Sequence, residues 1–60
     1  MNPEEIKTLR KKMGLNQTQF AHKIGVHLQT VSRWERGEMT PRGLALKALE
    51  RMKNRVAKRL

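Results

Sequence analysis

The hydrophobic residues of this chain recur three or four positions apart, in four groups separated by short polar stretches. This spacing places each group on one face of an α-helix, because a helix completes a turn every 3.6 residues. The chain is therefore predicted to be all-α. The four groups are Ile6, Leu9 and Met13; Phe20, Ala21 and Ile24; Val31 and Trp34; and Leu44, Ala45, Ala48, Leu49, Met52 and Val56.

The first predicted helix has clear signals at both ends. Asn2 can cap it, Pro3 suits its first position, and Glu5 stands three residues after the cap, as in a capping box. Gly14 follows the last apolar residue and can end the helix in a left-handed conformation. The sequence therefore predicts a helix that begins at Pro3 and ends just before Gly14.

Two shorter helices should follow. Asn16 can cap a helix of about eight residues that begins at Gln17 and stops at Gly25. A third helix should run from about residue 28 to Arg36. Its cap position is His27, which is a weak cap, so the first residue of this helix is predicted only to within about one position.

The fourth helix is predicted to start near Pro41, because Thr40 followed by proline is a cap and first-turn signal. Its end is less well marked, since the last ten residues carry five basic side chains and no acidic one. We expect order to about Met52 and fraying beyond it. This divides the chain into a domain over residues 1–52 and a basic C-terminal extension over residues 53–60, helical or frayed.

Composition limits the chemistry that this domain can perform. A chain of 60 residues makes one domain with a small core, and without cysteine it has neither disulfides nor a thiolate zinc site. Two histidines alone make a poor metal site, and the chain has no aspartate. We therefore expect no catalytic residues, no metal and no cofactor.

The charge of the chain points to a polyanionic partner. Fourteen Lys and Arg against five acidic residues give a net charge of +9, and such a field attracts nucleic acid or an anionic membrane. No apolar run approaches the roughly 18 residues of a membrane-spanning helix, and no signal-peptide core follows Met1. We expect a cytoplasmic chain with no membrane segment.

Residues Gln17 to Arg36, QTQFAHKIGVHLQTVSRWER, carry the most specific pattern. Two short helices joined at Gly25 match a helix-turn-helix, in which a small residue such as Ala21 allows close approach of the helices. The segment resembles the lambda-repressor-like, or XRE, helix-turn-helix family. The resemblance covers roughly Ile6 to Leu49 and implies a compact bundle of four or five helices that binds DNA.

The resemblance also implies which residues would contact DNA, because in this family the third helix enters the major groove. With Val31 and Trp34 inward, the outward positions of that helix are Gln29, Ser32, Arg33 and Arg36, and Leu28 and Thr30 lie on its flanks. Predicted base contacts are Leu28, Gln29, Thr30, Ser32 and Arg33. Predicted phosphate contacts are Gln17, at the start of the second helix, with Arg36, Arg42, Lys23 and His22.

Arg10 and Glu35 are charged residues at positions turned partly toward the predicted core. A partly buried charge needs a partner. The family commonly pairs an Arg of the first helix with a Glu at the end of the third, and these two positions match. We therefore predict a structural ion pair between them.

The sequence thus predicts a protein that binds double-stranded DNA and regulates transcription, and we interpret it as a repressor. A homodimer on a two-fold symmetric operator is expected, weak or monomeric when free, with Leu49, Met52 and Val56 as a possible interface. The alternative is an antitoxin-like module that also binds a partner protein. Two weaker interpretations are a membrane-surface helix over Arg51 to Leu60, which does not explain the motif, and RNA binding, for which the sequence contains nothing that resembles an RNA-binding module.

Overall fold

The computed structural model describes residues 1–58, and over this range the chain forms four α-helices and no strand. Helix α1 spans Pro3–Lys12, α2 spans Gln17–Ile24, α3 spans Leu28–Glu35 and α4 spans Gly43–Lys58. The prediction of an all-α bundle is confirmed, with four helices in the described range.

Capping boxes start α1 and α2. In α1 the Asn2 side chain accepts a hydrogen bond from the Glu5 N–H, and the Glu5 carboxylate accepts one from the Asn2 N–H. Asn16 and Gln19 make the same reciprocal pair at the start of α2. Each box satisfies two backbone donors that a helix start would otherwise leave without partners, so both predicted starts are confirmed.

Helix α3 starts without a side-chain cap, as the weak cap residue predicts. His27 has an extended backbone and its side chain caps nothing. Its carbonyl oxygen accepts the N–H groups of Thr30 and Val31. The helix starts at Leu28 and ends at Glu35, with Arg36 as its C-cap residue.

The start of α4 corrects the sequence prediction. Thr40 and Pro41 precede the helix, which begins two residues after the proline at Gly43. Pro41 is buried, and Gly43 has a φ of +59°, a conformation that side-chain-bearing residues rarely adopt. The backbone therefore turns at Gly43 before it can become helical, and Thr40 does not act as the cap.

The end of α4 also lies beyond the expected position. The helix continues past Met52 to Lys58. Residues 53–58 are therefore helical, which is one of the two states that we gave for the extension. Met52 and Val56 both pack against the core, and the Lys53 ammonium lies 3.0 Å from the Glu5 carboxylate of α1. These contacts hold the helix against α1 where we expected fraying. Arg59 and Leu60 lie outside the described residues.

The core lies where all four helices meet. Both α1 and α2 pack against α3 and against α4, and the apolar face of each helix contributes to one cluster. Leu49 is completely buried there, so it cannot take part in the suggested interface of Leu49, Met52 and Val56. Met52 and Val56 are half-buried against the core. The buried cluster consists of Ile6, Leu9, Phe20, Ala21, Val31, Trp34 and Leu49.

Candidate nucleic-acid interface

The turn between α2 and α3 fixes how α3 is presented. Gly25 has a φ of +91°, and both its N–H and that of Val26 donate to the Ala21 carbonyl, at 2.9 and 3.0 Å. Val31 and Trp34 of α3 are buried, with 0% and 2% of their surface exposed. One side of α3 is thus held by the core while the opposite side is free to contact a ligand.

The exposed face of α3 is formed by Leu28, Gln29, Arg33 and Arg36. Gln29, Arg33 and Arg36 follow one another at intervals of four and three residues, so their side chains leave the helix on one side. Leu28 is 44% exposed at the beginning of the helix. This face combines an apolar contact, an amide and two guanidinium groups, which are groups able to contact base edges and phosphates.

Thr30 and Ser32 are less exposed than a fully outward position requires. Both are half-buried, so Ser32 lies nearer the edge of the exposed face than the helical wheel predicts. Thr30 keeps the flanking position that we predicted.

A shallow cavity of about 560 Å³ lies beside α3 and connects it to the loop before α4. Thr30 of α3 and Arg42 of the loop both line it, with Met39 and Thr40 between them in the chain. Arg42 is exposed, so the structure places this predicted phosphate contact next to α3. Met39, which is 46% exposed, is not among the contacts that the sequence predicts, although an apolar residue in a loop between Gly37 and Pro41 was a signal for it.

Arg36 already has an acidic neighbour. Its Nε lies 3.3 Å from a carboxylate oxygen of Glu38, and both side chains are more than half exposed. An exposed pair of this kind contributes only about 0.2–1 kcal/mol. A phosphate that binds Arg36 would have to displace the Glu38 carboxylate or share the guanidinium group with it. Loss of this exposed pair would cost little free energy.

The start of α2 offers backbone donors to an anion. Of the first four N–H groups of the helix, those of Gln19 and Phe20 donate to the side chain and carbonyl of Asn16. The N–H groups of Gln17 and Thr18 have no carbonyl within the helix to bond. They lie at the positive end of the helix dipole, where a phosphate is favoured.

The Gln17 side chain itself faces inward. Its amide nitrogen donates a hydrogen bond of 3.2 Å to Glu35, a contact that the sequence did not predict. His22 and Lys23 are exposed near the other end of α2, about 8–9 Å along the helix axis from Gln17. These two residues are thus separated from the donors at the start of α2.

Arg10 and Glu35 are brought together as a two-pronged ion pair. Arg10 Nε donates to Glu35 Oε2 at 2.7 Å, and Nη2 donates to Oε1 at 3.2 Å. The remaining Nη1 donates to the Leu15 carbonyl at 3.0 Å. Gln17 also donates a hydrogen bond to Glu35. The network therefore joins α1, the loop after it, the start of α2 and the end of α3.

The network keeps Glu35 ionised although the carboxylate is almost inaccessible to water. Only 4% of its side chain is exposed. Burial alone would raise the pKa of Glu35, but hydrogen bonds from Arg10 and Gln17, together with the charges of Arg10 and Lys7, hold the pKa below its usual value of 4.5. The end of α3 is therefore anchored by a charged group as well as by apolar packing.

Other kinds of site find no support in the described part of the chain. Among residues 1–58 there is no group of three or more His, Cys, Asp or Glu that could hold a metal ion. None of the four helices over that range is both long enough and apolar enough to cross a membrane.

Comparison with known protein families gives a match that covers most of the chain. Residues 6–52, well over half of the chain, match the family described as Helix-turn-helix. The matched range begins in α1 and ends within α4, so it includes the complete α2–turn–α3 unit. No curated protein and no solved structure matches.

Proposed function

This chain belongs to the helix-turn-helix family of DNA-binding regulators, and we propose that it is a sequence-specific regulator that inserts α3 into the major groove. One observation carries this proposal: Gln29 and Arg33 are exposed on a helix whose opposite side is buried. An exposed helix of this size fits the major groove of B-DNA. A rigid support is needed because base recognition depends on placing donors and acceptors accurately.

In the proposed complex, Arg33 donates two hydrogen bonds to a guanine, and Gln29 pairs with an adenine one turn earlier. Leu28 contacts a thymine methyl group, and its 44% exposure leaves room for that contact. Half-buried Thr30 and Ser32 reach only bases at the edge of the site. The proposed base contacts are Leu28, Gln29, Thr30, Ser32 and Arg33.

Phosphate contacts would position α3 without reading sequence. The backbone N–H of Gln17 serves this role at the start of α2, since its side chain is engaged by Glu35. Arg42 is favoured on the other side because it lines the cavity beside Thr30. The proposed phosphate contacts are Gln17, Lys23, Arg36, Arg42 and His22.

We further propose that the protein represses transcription by occupying a two-fold symmetric operator as two copies. One recognition helix reads only a few base pairs, and a second copy one helical turn away extends the site. The free protein would be monomeric or a weak dimer, because a net charge of +9 opposes close approach. Such a regulator would work in the cytoplasm, together with its DNA.

Selection of bound fragments from random duplex DNA tests the proposal. We expect an enriched sequence with two-fold symmetry whose half-sites are about 10 base pairs apart. A titration of the enriched duplex and a scrambled duplex at about 150 mM salt would then give the ratio of the two affinities. Equal affinities would contradict a sequence-specific regulator.

The antitoxin-like alternative would add a partner protein outside the DNA-binding surface. Leu44 is the observation that favours it, because this side chain on α4 is 84% exposed. A partner that covers Leu44 would protect it from solvent. If the gene product next to this one bound the wild-type chain but not Leu44→Ser, this second function would be supported.

A further inference from the structure

The surface between α1 and α4 forms an open groove on a part of the molecule that contains none of the proposed DNA contacts. Its volume is about 750 Å³. Glu4, Thr8 and Lys12 line it from α1, and Lys53, Val56 and Ala57 line it from α4. We call this surface the α1–α4 groove.

Charges along α1 are arranged symmetrically about Thr8, with opposite sign on the two sides. Glu4 and Glu5 stand four and three residues before Thr8, and Lys12 and Lys11 stand four and three residues after it. A two-fold axis perpendicular to α1 at Thr8 would therefore place each Glu opposite a Lys of a second, antiparallel α1. In such an interface residue i contacts residue j and j contacts i.

Glu4 and Lys12 are the charges available for this pairing. Glu5 is already engaged by Lys53 at 3.0 Å and by the Asn2 N–H. Glu4 and Lys12 are exposed, and neither forms a salt bridge with another described side chain. They lie about 12 Å apart along α1, from the rise of 1.5 Å per residue.

The overall charge of the chain restricts where two copies can meet. Only five of its residues are acidic, against 14 basic ones, so most pairs of faces repel each other. The α1–α4 groove holds two of these acidic residues beside Lys12 and Lys53, which makes its charges balanced. A second copy therefore meets less repulsion here than on a basic face, and Val56 and Ala57 add apolar surface to the contact.

We propose that the α1–α4 groove is a self-association surface, on which α1 of a second copy lies antiparallel to α1. Glu4 then pairs with Lys12 of the partner subunit, and the two-fold axis repeats the pair on the other side of Thr8. The interface leaves the exposed face of α3 open in both copies. Because the pairs are solvent-exposed, the dimer is weak and forms only at high protein concentration.

Sedimentation equilibrium without DNA tests this interface independently of the DNA-binding proposal. The wild type is measured up to about 1 mM protein in about 150 mM salt, which screens the long-range repulsion between the net charges of two copies. Glu4→Lys and Lys12→Glu should each weaken the dimer about tenfold, since each places like charges opposite one another twice. That change equals about 1.4 kcal/mol. Far-UV circular dichroism checks that every variant is folded.

The paired variants separate specific pairing from general repulsion. Glu4→Lys makes the chain more basic and Lys12→Glu makes it less basic, so general repulsion predicts effects of opposite sign. Specific pairing predicts that both variants weaken the homodimer, and that their equimolar mixture and the Glu4→Lys/Lys12→Glu double variant regain association. Glu50→Lys and Lys47→Glu are matched controls on exposed positions of α4 outside the groove. They should follow net charge alone.

Three outcomes would overturn the proposal. The first is a wild-type protein that stays monomeric over the whole concentration range. The second is a dimer whose strength follows net charge in all four single variants, including a stronger dimer for Lys12→Glu. The third is a mixture of Glu4→Lys and Lys12→Glu that associates no better than the two variants alone.

Discussion

Removing either partner of the Arg10–Glu35 pair should destabilise the fold by very different amounts. Arg10→Met leaves the Glu35 carboxylate with only 4% of its side chain exposed and with Gln17 as its remaining side-chain donor. Loss of one partner of a buried pair costs about 3–5 kcal/mol. Glu35→Gln removes the buried negative charge itself, and the amide oxygen of the new glutamine can still accept a hydrogen bond from Arg10. The cost of this substitution should therefore be about 1–3 kcal/mol.

The cost of Arg10→Met is comparable to the whole stability of the domain. A chain of 60 residues is stabilised by about 3–9 kcal/mol in total, at 0.05–0.15 kcal/mol per residue. Arg10→Met should therefore be partly unfolded at 25 °C, whereas Glu35→Gln should stay folded. The double variant should lose less than the sum of the two single losses, because it leaves no unpaired charge in the core.

Urea unfolding measures these differences with a probe that the chain provides. Trp34 is the single tryptophan, and with 2% exposure its fluorescence should change when the core opens. A coupling of at least 1 kcal/mol between the two substitutions would agree with the observed hydrogen bonds. If the losses added to within about 0.5 kcal/mol, the pair would contribute no interaction energy, contrary to this prediction.

Four further predictions concern stability and DNA binding. His27→Ser should stabilise the fold by about 0.5–2 kcal/mol, because a serine can cap α3; an unchanged denaturation midpoint would contradict the cap assignment. The pKa of Glu35 is lowered on folding, so its contribution is complete above pH 4.5 and is lost as the pH falls below that value. Glu35→Gln should reduce this acid-induced loss, and an equally steep loss in the variant would oppose the assignment. The logarithm of the DNA association constant should fall against the logarithm of salt concentration with a slope of about −4 to −5, for about four to six phosphates per monomer; a slope near zero would argue against phosphate contacts. Arg42→Ala should weaken binding about equally on all sequences, whereas Arg33→Ala should cost about 1–3 kcal/mol mainly on the cognate site; the reverse pattern would exchange their roles.

The elements that the sequence predicted well are those with local signals. Asn2 and Asn16 start α1 and α2 because a capping side chain needs only residues two or three positions away. The end of α2 at Gly25 is equally local, since it depends on a residue that tolerates a positive φ. The apolar spacing then identified most of the core, including Val31 and Trp34 as the anchors of α3. Leu44 is the exception, because it belongs to the predicted stripe of α4 but is 84% exposed.

The features that were missed depend on contacts between distant parts of the chain. Pro41 reads as a first helical residue, but it is buried and the backbone turns at Gly43 instead. The extension after Met52 remains helical because Val56 packs on the core and Lys53 contacts α1. No local pattern reports such contacts.

Gln17 shows the same limit within the candidate site. Its position after an N-cap residue predicts donors for a phosphate, and the backbone N–H, which has no acceptor within the helix, remains available for that predicted contact. The side chain, however, turns toward Glu35, which lies 18 residues away in sequence. The choice between an outward and an inward amide depends on where α3 ends in space, and the sequence of α2 alone does not contain that information.

The central claim is that the exposed face of α3 reads bases, and Gln29→Ala tests it most directly. The substitution leaves the net charge unchanged, so a loss of binding cannot come from weaker attraction to phosphate. Asn54→Ala is the matched control, because it removes an equally neutral amide from an exposed position of α4. Affinities for the selected site and a scrambled duplex are measured side by side for wild type, Gln29→Ala and Asn54→Ala. Gln29→Ala should lower the ratio of the two affinities about five- to 150-fold, which corresponds to the 1–3 kcal/mol of a bidentate base contact, and Asn54→Ala should leave it unchanged. An unchanged ratio in Gln29→Ala would contradict the claim that this face of α3 reads the DNA sequence.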